Sequence, residues 1–158
     1  MTDKKPHLSV FGGPLGPLAP PSVDEARRQL GGPWVGGPDI GRVVRIVGGP
    51  VERVGVVVHS TPDDRDVWIG MGRVQRVEPA RIEPAEADAD HDPIIAAARV
   101  HASLSVGDSV VYELDDGGFA EGVLAEKLRF GALIGTPDGR VVAIGFRRIA
   151  PQQADPPS

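Results

Sequence analysis

Hydrophobic residues along this chain occur in short runs rich in Val and Ile, separated by Gly, Pro and Asp. Runs of this kind bounded by turn-forming residues predict β-strands. The predicted strands are Arg42–Val47, Val54–Val58, Asp66–Ile69 and Arg73–Val77 in the first half, and Asp108–Leu114, Gly122–Glu126, Ala132–Gly135 and Arg140–Ile144 in the second. The pattern therefore predicts a mainly β protein.

The two sets of strands repeat one pattern of residues. Residues 55–84 align with residues 122–151 without a gap, so that Gly72-Arg73-Val74 falls on Gly139-Arg140-Val141. A repeat of this length is typical of one supersecondary unit that is present twice. A unit this small buries little apolar surface, so we expect the two copies to pack together or on a partner.

Two short stretches carry the signals of helices. Ser22 is the predicted N-cap of the first, with Glu25 completing a capping box and Gly31-Gly32-Pro33 ending the helix. Asp92 is the predicted cap of the second, which runs to Leu104. This second helix lies between the two copies in the sequence, and we expect it to brace them.

The chain therefore divides into five segments, with flexible ends rich in Pro and Gly. The 21 glycines and 16 prolines are concentrated towards the chain ends, where they disfavour regular structure. The predicted segments are an extended Pro/Gly-rich arm with a short helix (1–37), the first β module (38–84), an acidic linker with the bracing helix (85–103), the second β module (104–151) and a disordered tail (152–158).

The N-terminal arm carries apolar residues between its prolines. Its candidate protein-binding residues are Phe11, Leu15 and Leu18. Two interpretations stay open: an unanchored tail, as chain ends commonly are, and an arm that docks in extended form on a partner.

The order of motifs resembles the SH3-like small barrels, of which Tudor-like and KOW-like domains are examples. The resemblance rests on Val106-Gly107-Asp108-Ser109-Val110, on Gly122-Val123, on the turn Pro137-Asp138-Gly139-Arg140 and on Arg147-Arg148-Ile149-Ala150-Pro151. It covers both copies and implies two SH3-like barrels in tandem. Barrels of this type also connect parts of large assemblies, virus particles included.

Tudor-type domains bind methylated cations in a cage of clustered aromatic rings. The resemblance therefore directs attention to the aromatic residues of the second copy, which form a candidate aromatic surface: Tyr112, Phe119, Phe130 and Phe146. The interpretation favoured for these rings is packing in the core and at its rim. In the first copy Trp68 is the one candidate, which disfavours a duplicated cage.

Composition and motifs exclude several kinds of functional site. The chain has no cysteine, which excludes disulfides and thiolate-ligated zinc, and no apolar run of membrane-spanning length. Catalytic and phosphate-loop motifs are absent, and the acidic stretch Asp88–Asp92 lacks the spacing of a calcium loop. We expect a cytoplasmic, non-enzymatic protein without cofactor or bound metal.

Two binding functions remain. The first is a protein-interaction or assembly module that uses the β modules and the arm. The alternative is association with nucleic acid or ribosomes through the first copy, where the candidate contacts are Arg42, Arg45, Arg73 and Arg76. The formal net charge of −5 disfavours the alternative, because nucleic-acid-binding domains usually carry a basic footprint.

Overall fold

The structure, a computed structural model, describes residues 20–152, with side chains from residue 23 onward. The predicted arm residues Phe11, Leu15 and Leu18 lie outside the described residues, as does the predicted tail beyond Gln152. The described chain is mainly β and forms two five-stranded antiparallel sheets with two α-helices, which confirms the predicted fold class.

Every strand predicted from the hydrophobic pattern is present. The first repeat contains β1 (Val43–Ile46), β2 (Arg53–Ser60), β3 (Arg65–Gly70), β4 (Arg73–Val77) and β5 (Ile82–Pro84). The second contains β6 (Ser109–Glu113), β7 (Phe119–Leu128), β8 (Gly131–Gly135), β9 (Val141–Gly145) and β10 (Ile149–Pro151). The closing Ile-x-Pro motif of each repeat is itself a short strand.

The two sheets have the same topology. In each, four strands pair in sequence and the fifth returns to pair with the first, giving the orders β4-β3-β2-β1-β5 and β9-β8-β7-β6-β10. Ile46 of β1 lies opposite Arg53 and Ile82, and Tyr112 of β6 lies opposite Ala120 and Ile149. Each long strand also shifts register at the same position, between residues 57 and 59 and between residues 124 and 126. The sequence repeat is therefore a structural repeat.

The helices differ in detail from the prediction. Helix α1 (Pro20–Gln29) begins two residues before Ser22, so the predicted N-cap lies inside the helix. The reason is that proline is well tolerated in a first helical turn, where its missing N–H needs no partner. Helix α2 (Asp92–Ser103) takes Asp92 as its first residue, and His91 occupies the N-cap position.

Helix α2 contacts both repeats. Its buried residues are Ile94, Ala98 and His101, so the buried face of the helix includes a histidine beside two apolar residues. One core cluster joins the helix to both repeats: Val43, Val56, Val58 and Trp68 come from the first, and Phe130 and Phe146 from the second. The two repeats therefore share part of one core.

A polar cluster also crosses between the repeats. Asp66 on β3 is almost fully buried and accepts hydrogen bonds from Arg76 Nε at 2.8 Å and from Arg129 Nη1 at 3.1 Å. Burial works to raise the pKa of Asp66, but hydrogen bonding from His59 and Arg76 and the nearby guanidinium charges outweigh it and lower the pKa. The carboxylate therefore stays ionised inside the molecule.

The segment before β1 closes the junction between the repeats. His59 Nε2 accepts hydrogen bonds from the backbone N–H groups of Val35 and Gly36 at 2.9 and 3.2 Å. Because Nε2 accepts, the ring carries a proton on Nδ1, which lies 3.4 Å from Asp66 Oδ2. The Trp34 ring makes edge contacts with both His59 and His101, each at 4.8 Å between ring centroids.

None of the helices in residues 20–152 has the length and apolar character needed to cross a membrane.

Candidate functional site

Each repeat carries a surface groove at the same place in its sheet, between the hairpin of its first two strands and the hairpin of its third and fourth. Five lining positions of the first groove correspond in strand register to five of the second. The equivalent pairs are Ile46 and Tyr112, Arg53 and Ala120, Ile69 and Thr136, Arg73 and Arg140, and Gln75 and Val142. The duplication has therefore produced two versions of one groove.

The second groove has a volume of about 700 Å³ and an apolar wall. Its lining residues are Tyr112, Leu114, Phe119, Ala120, Glu121, Thr136, Pro137, Asp138, Arg140, Val142 and Ile144. Phe119 is 70% exposed on its rim, which is unusual for a large aromatic side chain with no structural need to face water. An open groove with an exposed aromatic rim is typical of a binding surface.

The charged groups of the second groove are mostly acidic. Asp138 accepts a hydrogen bond from the Thr136 hydroxyl and pairs with Arg140 at 3.1 Å, and both contacts lower the pKa of Asp138. Burial and the charge of Asp138 raise the pKa of Tyr112, so its hydroxyl stays protonated. Glu121 adds a carboxylate at the opposite wall, where it accepts a hydrogen bond from Gln152 at 2.9 Å.

The first groove has a volume of about 500 Å³ and carries only positive charge among its lining residues. Those residues are Ile46, Gly49, Pro50, Val51, Arg53, Ile69, Arg73, Val74, Gln75 and Arg81. The lining therefore combines three arginines, Arg53, Arg73 and Arg81, with apolar residues that range from the buried Ile46 to the exposed Val51.

The four arginines predicted as nucleic-acid contacts are not brought together. Arg42 pairs with Asp39 at 3.1 Å, Arg45 with Glu83 at 3.0 Å and Arg76 with Asp66 at 2.8 Å. Arg73 alone of the four lines the first groove. Strand alternation separates these side chains, because residues three apart on a strand face opposite sides.

The four aromatic residues of the candidate aromatic surface are also separated. Phe130 and Phe146 are buried in the core shared by the two repeats, and Tyr112 is buried in the core of the second sheet. Phe130 and Phe146 lie together in that shared core, where the Phe146 N–H donates to the Phe130 carbonyl at 2.9 Å, whereas Tyr112 and Phe119 both line the second groove, so the four rings do not form one surface. Packing in the core, which the sequence favoured, holds for three of the four rings.

The acidic linker forms a local turn. The Asp88 side chain accepts a hydrogen bond from the Asp90 backbone at 2.9 Å, and the Asp88 backbone N–H donates to His91 Nδ1 at 3.1 Å. These contacts cap the short 3-10 turn that precedes α2. Within residues 20–152, no group of three or more histidine, aspartate and glutamate side chains is arranged to hold a metal ion.

No protein-family model matches the chain, and no curated protein matches it either. The two grooves are therefore the features from which a function can be argued.

Proposed function

We propose that this protein is a non-catalytic protein-interaction module and that the second groove is its binding site. The observation that carries the proposal is the exposed ring of Phe119 beside the half-open apolar wall formed with Tyr112 and Leu114. Aromatic side chains that become buried on binding supply much of the binding energy in many protein interfaces. The strand order, with the fifth strand returning to the first, supports the SH3-like interpretation of each repeat.

The chemistry of the second groove favours a particular kind of partner. Its carboxylates, Glu121 and Asp138, lie on either side of an apolar floor, and Arg140 is already paired with Asp138. A protein segment in extended form that alternates apolar and basic side chains complements this arrangement. The apolar side chains enter beside Phe119, and a basic side chain reaches Glu121.

The N-terminal arm is proposed as a second contact with the same kind of partner or assembly. Since α1 begins at Pro20, deletion of residues 1–19 removes the arm, including Phe11, Leu15 and Leu18, and leaves the described chain complete. Loss of a partner on this deletion supports the arm as a contact, and full retention of every partner contradicts it.

The experiment that tests the groove compares four tagged chains in affinity purification from nuclease-treated extracts of the source organism. The chains are the wild type, Phe119→Ser, Glu121→Lys and the control Val123→Ser. Val123 is 47% exposed on the same strand and is not among the lining residues of the groove. We expect proteins that the wild type and the control retain, and that both groove variants lose.

Equal recovery of every protein by all four chains contradicts the proposal. A partner found in this way is then titrated against the purified chains, with thermal unfolding as the check that each variant is folded. We expect Phe119→Ser to weaken binding about tenfold or more, since truncation of an aromatic hot spot costs about 2 kcal/mol or more.

A further inference from the structure

The first groove differs from its duplicate in charge, because no carboxylate is among its lining residues. One position differs in the opposite sense: Glu52 stands where the second repeat has Phe119, and its carboxylate lies 3.9 Å from Arg45. Aligned on the strands, the acidic positions around the second groove correspond to neutral residues around the first. Glu113, Asp115, Asp116, Glu121 and Asp138 correspond to Val47, Gly49, Pro50, Val54 and Met71. The first groove has also gained a cation, because Arg53 stands where the second repeat has Ala120.

The effect on Arg81 shows what this loss means physically. The equivalent Arg148 pairs with Asp115 at 3.2 Å, across the hairpin turn of the second repeat. Arg81 instead lies over Gly48 and Gly49, and its Nε donates to the Val47 carbonyl at 3.2 Å. Its guanidinium charge faces a turn without a carboxylate.

Arg73 likewise lacks the ion-pair partner that its equivalent in the second repeat has. The equivalent Arg140 pairs with Asp138 at 3.1 Å, and the first repeat has Met71 at the position of Asp138. Met71 is 93% exposed, so the hairpin tip beside Arg73 provides no negative charge for the guanidinium and does not shield it from water.

The arginines of the first repeat are therefore sorted into two groups. Ion pairs within the described chain neutralise four of the seven: Arg42, Arg45, Arg65 and Arg76. Within that same part of the chain no carboxylate pairs with the other three, Arg53, Arg73 and Arg81, and these three line one groove. Grouping unneutralised charges raises the energy of the free protein through repulsion, and an anion in the groove removes that repulsion.

We propose that the first groove binds a phosphate-bearing ligand through Arg53, Arg73 and Arg81. Guanidinium groups bind phosphate oxygens with paired hydrogen bonds, and three of them match a ligand with more than one phosphate. Its lining contains no aromatic ring on which a nucleobase could stack, so the groove fits the phosphates and not the bases. This site lies on the other repeat from the second groove and goes beyond the protein-interaction function.

Two sources offer this chemistry, a free polyphosphate and the backbone of a nucleic acid. The test uses both on the purified full chain in phosphate-free buffer. Tripolyphosphate is titrated by calorimetry, and a labelled single-stranded oligouridylate of about twelve nucleotides by fluorescence anisotropy. Whichever probe binds identifies the source, and binding of either one in the manner below supports the site.

The matched variants carry equal changes in charge. Arg53→Gln/Arg73→Gln removes two charges from the groove, and Arg42→Gln/Arg45→Gln removes two from exposed, ion-paired positions of the same repeat. We expect the groove variant to weaken the bound probe about tenfold or more, and the control less than about twofold. Both pairs are surface substitutions, and thermal unfolding verifies the fold.

Three results overturn the proposal. The first is that neither probe binds the wild type. The second is that the two variants weaken binding equally, which indicates diffuse electrostatic attraction. The third is that a glutamate-rich peptide binds as tightly as the phosphate probes, which assigns the groove to an acidic protein segment. Because these measurements use purified protein and leave Phe119 and Glu121 intact, their failure is distinguishable from failure of the protein-interaction function.

Discussion

The buried carboxylate of Asp66 and the guanidinium of Arg129 meet at 3.1 Å, and the pair joins the first repeat to the turn between β7 and β8 of the second. Side-chain exposure is 2% for Asp66 and 17% for Arg129, so water screens the pair poorly. The contact therefore helps to fix the relative placement of the sheets, and removal of either partner leaves a poorly solvated charge without compensation.

Replacing Asp66 should destabilise the protein strongly. Asp66→Ala leaves the mostly buried guanidinium of Arg129 and the half-exposed guanidinium of Arg76 without their carboxylate, and breaking a buried pair costs about 3–5 kcal/mol. Urea unfolding measures the loss. The control is Asp115→Ala, whose side chain is 76% exposed in its pair with Arg148, and it should stay within about 1 kcal/mol of the wild type. Equal losses in the two variants contradict the structural role given to Asp66.

Stability should fall as the solution is acidified, because of His101. Burial lowers the pKa of this histidine to about 4, against 6.5 for an unperturbed ring, and its Nε2 donates to the Gly131 carbonyl at 2.9 Å. Between these pH values the unfolded chain binds a proton that the folded chain excludes. The free energy of unfolding therefore decreases as pH falls from 6.5 to about 4, by about 3 kcal/mol in total.

Protonation of Asp66 causes a second decrease in the free energy of unfolding at lower pH. Its folded pKa lies below the ordinary value, so its stabilising contribution is present above the unfolded pKa and disappears as pH falls through the folded pKa.

The contribution of His101 is measured by urea unfolding at intervals between about pH 7.5 and 4.5. His101→Gln keeps an amide donor for the Gly131 carbonyl and cannot titrate, so it should flatten this part of the curve. An unchanged slope in that variant would falsify the assignment to His101.

Much of the fold could be predicted because the strand signals are local and occur twice. The valine-rich runs and the turn Thr136–Gly139 specify strands and hairpins without information from distant residues, and the aligned copy supports each of them. The packing of α2 depended on long-range contacts. Nothing in the sequence near His101 indicates that Gly131, on the opposite sheet, provides the acceptor that lets this ring be buried.

Two glycines at equivalent positions of the repeats, Gly55 and Gly122, are required by close backbone contact. A β-carbon on Gly55 would lie 2.0 Å from the Trp68 carbonyl oxygen, and one on the equivalent Gly122 would lie 2.7 Å from the Gly135 oxygen. We expect Gly55→Ala to cost at least about 3 kcal/mol and Gly122→Ala about 1–3 kcal/mol, since backbone atoms have little room to move.

The control for these glycines is Gly135→Ala, whose β-carbon would meet its nearest atom, the Val123 carbonyl oxygen, at 3.8 Å. Its free energy of unfolding should stay within about 1 kcal/mol of the wild type. Chemical denaturation of the three variants gives their free energies of unfolding, and the loss should be largest for Gly55→Ala and smallest for Gly135→Ala. A loss for Gly135→Ala as large as that for Gly55→Ala would contradict the steric explanation.

The candidate sites could be predicted only in part, and the reason is electrostatic. Choosing arginines by their position on strands selected Arg42, Arg45 and Arg76, which acidic neighbours neutralise in the folded chain. Arg53 and Arg81 lie near turns, where position on a strand does not single them out. The aligned repeats do contain the signal for the first groove, because acidic residues of one copy become neutral in the other, but its meaning depends on knowing which positions share a groove.

The shared core predicts that the two repeats unfold as one cooperative unit. Phe146 of the second repeat is 1% exposed and packs edge to face on Trp68 of the first, with ring centroids 6.4 Å apart. Phe146→Ala should therefore cost about 3–5 kcal/mol and lower the stability of both sheets together. Phe119→Ala is the matched control, because that ring is 70% exposed in the same repeat and its loss should change stability by less than about 0.5 kcal/mol. Tryptophan fluorescence and far-UV circular dichroism should report one coincident unfolding transition in the wild type and in both variants, with equal calorimetric and van't Hoff enthalpies.

Two separated unfolding transitions, with the tryptophan signal unaffected by Phe146→Ala, would show that the repeats unfold independently and that the contact between the two rings contributes little to stability.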